Sequence, residues 1–192
     1  MEFTNDTYVE EVFTDVTAKD NDLVSKDFSG CTFSKCDFSN AGLSESTFVD
    51  CIFRECNLSN IQVGDVGFQG VQFINCKIIG VIFSTINSFL ISWEFVSCRI
   101  ELCDFSNLKM KQSKFLACSI YETDFTNADL SETSFVGSDL KNTKFIDANL
   151  ERTDFLQAKN YYIDPVQNKL KGAKFSQFEA LALLAGFGIE IE

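Results

Sequence analysis

From Phe3 to Phe83 every fifth residue is apolar, apart from small Ala18: Phe, Tyr, Phe, Ala, Leu, Phe, Phe, Phe, Leu, Phe, Phe, Leu, Val, Phe, Phe, Ile, Phe. From Phe95 to Phe155 the rule resumes in a new register, with aromatic and aliphatic centres alternating. Neither the 3.6-residue helical period nor the two-residue strand period places such positions on one side. A short repeat held over most of a chain predicts a solenoid, one unit stacked on itself. Two residues before each centre the chain carries compact residues, as in Cys31, Cys36, Ala41, Ser46 and Cys51. Residues two apart on an extended segment share a side, so this pair points inward. The residue between them points outward and is often Asp or Asn, and the last two residues of each unit suit a corner. Each unit is thus a miniature strand plus a turn.

The coil size follows from a second period. Tyr8, Phe28, Phe48 and Phe68 form one series, Phe13, Phe33, Phe53 and Phe73 another, and Leu23, Leu43 and Val63 a third. Four units therefore close one coil of twenty residues with a square cross-section. Eight coils at about 4.8 Å each predict a rod of roughly 38 Å. The expected fold is all-β, a quadrilateral parallel β-helix of about eight coils over residues 1–158. Residues 159–192 form a separate element that caps the rod or joins two rods.

Two irregularities break the pattern. Between Phe83 and Phe95 the register advances by 12 residues, which puts a two-residue insertion near 84–94. Ser84, Thr85, Asn87 and Ser88 are the candidate bulge. Trp93, the single tryptophan, sits at a position held by small residues elsewhere. It is read either as an interaction bump or as a plug for a widened coil. After Ala158 the repeat lapses, and Ser176-Gln177-Phe178-Glu179 reads as a capping box opening a helix from Phe178 to Ala185, ended by Gly186. Ile189-Glu190-Ile191-Glu192 alternates like a final strand. A helix apolar nearly all round needs cover on more than one side. Phe178, Leu181, Leu184, Phe187, Ile189 and Ile191 are the candidate two-fold dimer interface; the alternative is a monomeric cap lying flat on the last coil.

Chemistry-bearing residues are few in kind. There is no histidine, so no imidazole base and no histidine-based triad. No phosphate loop or dinucleotide fingerprint occurs; Gly186-Phe187-Gly188 is not one. A filled rod offers no deep pocket, and the chain is read as a non-enzyme without cofactor. All eight cysteines occupy the inward compact position, without a Cys-x2-Cys pair. A zinc site or a staple is weighed against buried thiols, and the inward position favours the thiols. No apolar run is long enough to span a bilayer, and the expected location is the cytoplasm.

Charge changes the picture more. Acids number 28 against 16 bases, for a net charge of −12. Residues 1–80 hold thirteen acids and five bases, so the acidity gathers toward the first coils. Direct nucleic-acid binding is disfavoured, whereas a basic protein groove is favoured. Plain solubility explains the same charge. The outward Asp22, Asp27, Asp37, Asp104 and Asp124 are the candidate partner-binding acids.

The unit itself, as in Cys36-Asp37-Phe38-Ser39-Asn40 or Ala128-Asp129-Leu130-Ser131-Glu132, resembles the pentapeptide-repeat family. The resemblance covers residues 20–158 and implies a right-handed quadrilateral β-helix. The tail carries a narrower resemblance, in Tyr162-Ile163-Asp164-Pro165, Lys174-Phe175-Ser176, Glu179-Ala180-Leu181-Ala182-Leu183-Leu184 and Gly188-Ile189. It is similar to the subgroup of Qnr-type quinolone-resistance proteins and the microcin B17 immunity protein. That resemblance implies a homodimeric acidic rod that mimics DNA, binds DNA gyrase or topoisomerase IV, and frees them from poisons. Gram-negative Qnr-type proteins carry two longer projecting loops, and this chain has only the short insertion. The departure shifts the expectation toward immunity against a peptide or natural-product poison. The alternative is an architectural solenoid that binds some protein unrelated to gyrase.

Overall fold

The corner of each five-residue unit sets the architecture. In the computed structural model, which describes residues 3–20, 22–87 and 91–187, the fifth residue of nearly every unit has a positive φ, from Glu10 (54°) through Asn40 (62°) to Gln157 (60°). One left-handed residue per unit turns the chain through a corner, and three extended residues make the next side. The result is a parallel β-solenoid of about eight coils.

The four sides are built unequally. The first face stacks Thr7–Val9, Asp27–Ser29, Thr47–Val49 and Gly67–Gln69. The second stacks Val12–Thr14, Thr32–Ser34, Ile52–Arg54, Gln72–Ile74, Glu94–Val96 and Lys114–Leu116. The third stacks Lys77–Ile79, Arg99–Glu101 and Ser119–Tyr121. The fourth is joined by isolated bridges such as Gly42 to Gln62 and Asp104 to Asp124. Every strand pairing is parallel and in register, so each side chain lies on its counterpart twenty residues away, or twenty-two across the insertion.

In-register stacking explains the excess of phenylalanine. On the second face Phe13, Phe33, Phe53, Phe73, Phe95, Phe115, Phe135, Phe155 and Phe175 form one unbroken column, with centroids 4.7–5.3 Å apart. Rings held by coils 4.8 Å apart stack offset, and neighbouring columns meet them edge-on, as Phe105 meets Phe115. Each buried ring contributes about 2–3 kcal/mol of transfer free energy.

The insertion is placed by the pairings. Gly67 still pairs with Asn87, twenty residues on, whereas Gln72 pairs with Glu94, twenty-two on. The two extra residues therefore fall between Asn87 and Glu94. The coil pairing also outlasts the five-residue rule: Asp139 pairs with Lys159, Asn149 with Lys169 and Phe155 with Phe175. Pro165 and the exposed Tyr162 interrupt the apolar spacing there, while Ile163 keeps an inward position. The last helix, a minor element, spans Glu179–Phe187 as a 3-10 helix that runs through Gly186, rather than the Phe178–Ala185 helix ended at that glycine. The Ser176 hydroxyl, assigned to a capping box by the sequence, accepts the Gln157 N–H at 2.8 Å.

Candidate interaction surface

Outward aspartates have a local task. Oδ1 of Asp37, Asp104, Asp124, Asp129 and Asp154 each accepts the backbone N–H two residues on, at 2.8–3.1 Å. This Asx geometry tightens the approach to the corner and is the reason the repeat carries Asp or Asn there. Hydrogen bonds from Ser39, helped by the Asn57 amide, hold the Asp37 carboxyl below its usual range. At Asp104 burial pushes the other way, but donation from Ser106 and from the Ser84 hydroxyl (2.7 Å) outweighs it. Asp22 accepts the Lys19 N–H and Asp27 accepts the Thr47 hydroxyl.

These five acids do not share one face. Asp104 and Asp124 are stacked neighbours on the fourth face, and Asp22 lies on that side near the start of the rod. Asp27 belongs to the first face and Asp37 to the third. A second set went unread in the sequence: Glu10, Glu45, Asp50, Glu55 and Asp65 stand at left-handed corners, and all are exposed. Their regular spacing at the fifth position was the signal.

Ion pairing divides the rod. Among the described residues Lys26–Asp6 (3.2 Å) is the one ion pair in the first four coils. Beyond the insertion, carboxylates meet a base twenty residues later: Glu94–Lys114 (3.6 Å), and Asp124–Lys144, Asp139–Lys159 and Asp154–Lys174 (each 3.7 Å). Glu132 meets both Lys111 and Arg152 at 3.2 Å. The first four coils thus keep their net −8 on roughly 19 Å of axis, one charge per about 2.4 Å, against about 1.7 Å for duplex DNA.

The insertion carries no projecting tryptophan. Trp93 is 2% exposed, its indole N–H donates to the Phe68 carbonyl (3.0 Å), and its ring packs on Phe68, Phe83, Phe95 and Phe105. It is the plug, not the bump. Ser84 and Thr85 precede the insertion inside the turn Phe83–Thr85, and Asn87 remains paired to Gly67. Ser88 lies outside the described residues. In the tail Phe178 is 84% exposed, Leu181 and Phe187 about half, and Leu184 is partly buried while Leu183 packs on the core. Ile189 and Ile191 lie outside the described residues.

Residues 66–141 match the family described as "Pentapeptide repeat region", and residues 28–72 match "Pentapeptide repeats (9 copies)". The chain belongs to the pentapeptide-repeat family. This pentapeptide-repeat protein is similar in fold to a trypsin-treated variant of QnrB1, described as a plasmid-mediated fluoroquinolone resistance protein. The match has a TM-score of 0.83 at 19% identity and covers 97% of this chain and 98% of that one. A second trypsin-treated QnrB1 variant aligns at a TM-score of 0.66 and 18% identity, covering 97% of this chain and all of the other. No curated protein sequence matches the chain.

The pentapeptide-repeat protein keeps its thiols inside. Cys36, Cys56, Cys76, Cys98 and Cys118 form one ladder across the insertion, each thiol 3.2–3.6 Å from the carbonyl oxygen of a phenylalanine one coil below. Ser138 continues it with a 2.8 Å bond to Phe115. Contact with Cys118 and burial push Cys98 up to about 12, and burial pushes Cys51 up to about 12 and Cys103 to about 11. Such thiols are poor nucleophiles and poor ligands. Among the described residues no three metal-ligating side chains gather, and no helix is long and apolar enough to cross a membrane.

Proposed function

We propose that this pentapeptide-repeat protein is a non-enzymatic binder of type II topoisomerases, DNA gyrase or topoisomerase IV, and protects them from a poison. It acts in the cytoplasm as a homodimer joined through the exposed Phe178, Leu181 and Phe187. The observation that carries the reading is the unneutralised carboxylate surface of the first four coils, whose linear charge density approaches that of duplex DNA. A protein site built for phosphates is basic, and such a rod is complementary to it. The fold likeness to QnrB1, described as a fluoroquinolone resistance protein, supports a protective role against a poison. The short insertion favours a peptide or natural-product poison over a quinolone.

The test is gyrase supercoiling with purified protein, with and without a cleavage-stabilising poison, at two salt concentrations. Inhibition of supercoiling, or rescue from the poison, that fades at higher salt is the expected result. No effect at any dose overturns the reading and leaves an architectural rod with another partner.

A further inference from the structure

The outer side of the second face changes character one coil before ion pairing begins. Its last strand position reads Thr14, Ser34 and Arg54 in the first coils, then Ile74, Val96, Leu116, Val136 and Leu156. Val96 is in register with both Ile74 and Leu116. The ladder continues by backbone bonds, with the Ala117 N–H donating to Val136 and the Gly137 N–H to Leu156. Five aliphatic side chains, partly buried or exposed, thus stand in one row about 19 Å long.

The neighbouring corner loses its charge over the same coils. Asp15, Lys35 and Glu55 give way to Asn75, Ser97, Ala117, Gly137 and Gln157. One border of this strip is self-neutralised through Glu94–Lys114 and Asp154–Lys174. On the other border Arg99 is paired with Glu101, and Lys159 with Asp139. No other side of the rod repeats an aliphatic residue at this position for five coils; the first face reads Lys111, Ser131 and Glu151 over the same stretch.

We propose that this strip is a dry docking edge for a protein whose surface carries an apolar ridge beside a basic tract. It rests on the topoisomerase reading above and assigns affinity to a different part of the rod from the acids. Charge complementarity selects the occupant: the same face continues into the first coils, where the exposed Glu10, Glu11, Asp15, Asp50 and Glu55 stand against Lys35 and Arg54, a net −3 that attracts bases and repels phosphates or an anionic membrane. The strip itself has no net charge to steer anything; its role is to slow dissociation by excluding water along a narrow apolar row.

The test is binding of purified full-length protein to immobilised DNA gyrase at about 50 mM and about 200 mM salt. Leu116→Glu and Val136→Glu each place a charge in the strip, and Leu116→Ser/Val136→Ser removes its apolar surface without adding one. Ser131→Glu, at the same strand position on the first face, is the control, and thermal unfolding verifies that each variant is folded. The strip variants are expected to dissociate about tenfold faster with an unchanged salt dependence, and the control to match the parent. Folded strip variants that bind within about twofold of the parent overturn the docking edge alone. A parent protein that does not bind gyrase overturns the function proposed above, and the docking edge with it.

Discussion

A left-handed corner residue is costly for most side chains, yet this chain places one in nearly every unit. Asn, Asp and Gly hold many of these corners, as expected from their tolerance of positive φ. Leu102 does not fit that preference: it has a φ of 53° and is 59% exposed, so its side chain gains little from packing. Replacing it by glycine relieves about 1–2 kcal/mol of backbone strain and costs about 0.5–1 kcal/mol in unfolded-state entropy. Leu102→Gly is therefore expected to raise stability by up to about 1.5 kcal/mol, read as a higher denaturant midpoint with an unchanged slope. The corner also explains which acids the sequence misdirects. An outward Asp attracts notice because it recurs, but Asp104 and Asp124 recur to accept the N–H of Ser106 and Thr126. The exposed Glu45 and Asp65 vary because the corner asks only for a tolerated conformation, which leaves them open to a partner.

At the scale of the element, columns matter more than strands, since three-residue strands hold nothing alone. The nine-phenylalanine column runs straight through the insertion because Phe95 takes the place beyond Phe73. Phe95→Ala, in the middle of that column with no exposed surface, is expected to cost about 3–5 kcal/mol in chemical denaturation. The thiol ladder makes a second prediction. Cys51 and Cys98, raised to about 12 from the ordinary 9.0, hold their protons more tightly folded than unfolded. Their contribution to stability is complete below about pH 9 and is lost as pH rises toward 12. The melting temperature should fall over that window, and alkylation at pH 8 should modify native thiols only after unfolding. The columns were legible from spacing alone, and so was a register break. Where the two extra residues fall was not, because Ser84 and Asn87 look as loop-like as their successors and only the pairing of Gly67 with Asn87 separates them. The aliphatic row stayed hidden for the same reason: Ile74 and Val96 are twenty-two apart, and they align only once the break is placed.

For the whole molecule the deciding property is how charge and apolar surface divide along one axis. The tail offers Leu181, 47% exposed on the last helix, beside Phe178 and Phe187. If these join two rods, Leu181→Glu shifts the mass measured by sedimentation from twice 21.6 kDa to a single chain, with the coils intact. The acids call for a comparison between carboxylates of equal charge and different company. Glu45 and Asp65 occupy stacked corners on coils where, among the described residues, Lys26–Asp6 is the one ion pair, so each adds its full charge to the field that a partner meets. Glu132 is as acidic but lies within 3.2 Å of both Lys111 and Arg152, which offset its charge locally, and a hydrogen bond from the Gln112 amide together with Lys111 holds its carboxyl below its usual range. The paired spacing was visible in the sequence as Asp139 and Lys159, or Asp154 and Lys174, twenty apart; which side of the rod each pair occupies was not. Glu45→Gln with Asp65→Asn should slow association with gyrase several-fold and flatten its salt dependence, because rim charges act on encounter more than on residence. Glu132→Gln should not slow association, since with Lys111 and Arg152 beside it that site offers a basic partner no net negative charge to begin with. Equal losses from the two substitutions would mean that net charge alone governs the encounter, and the division of the rod into an open acidic half and a neutralised half would then have no part in recognition.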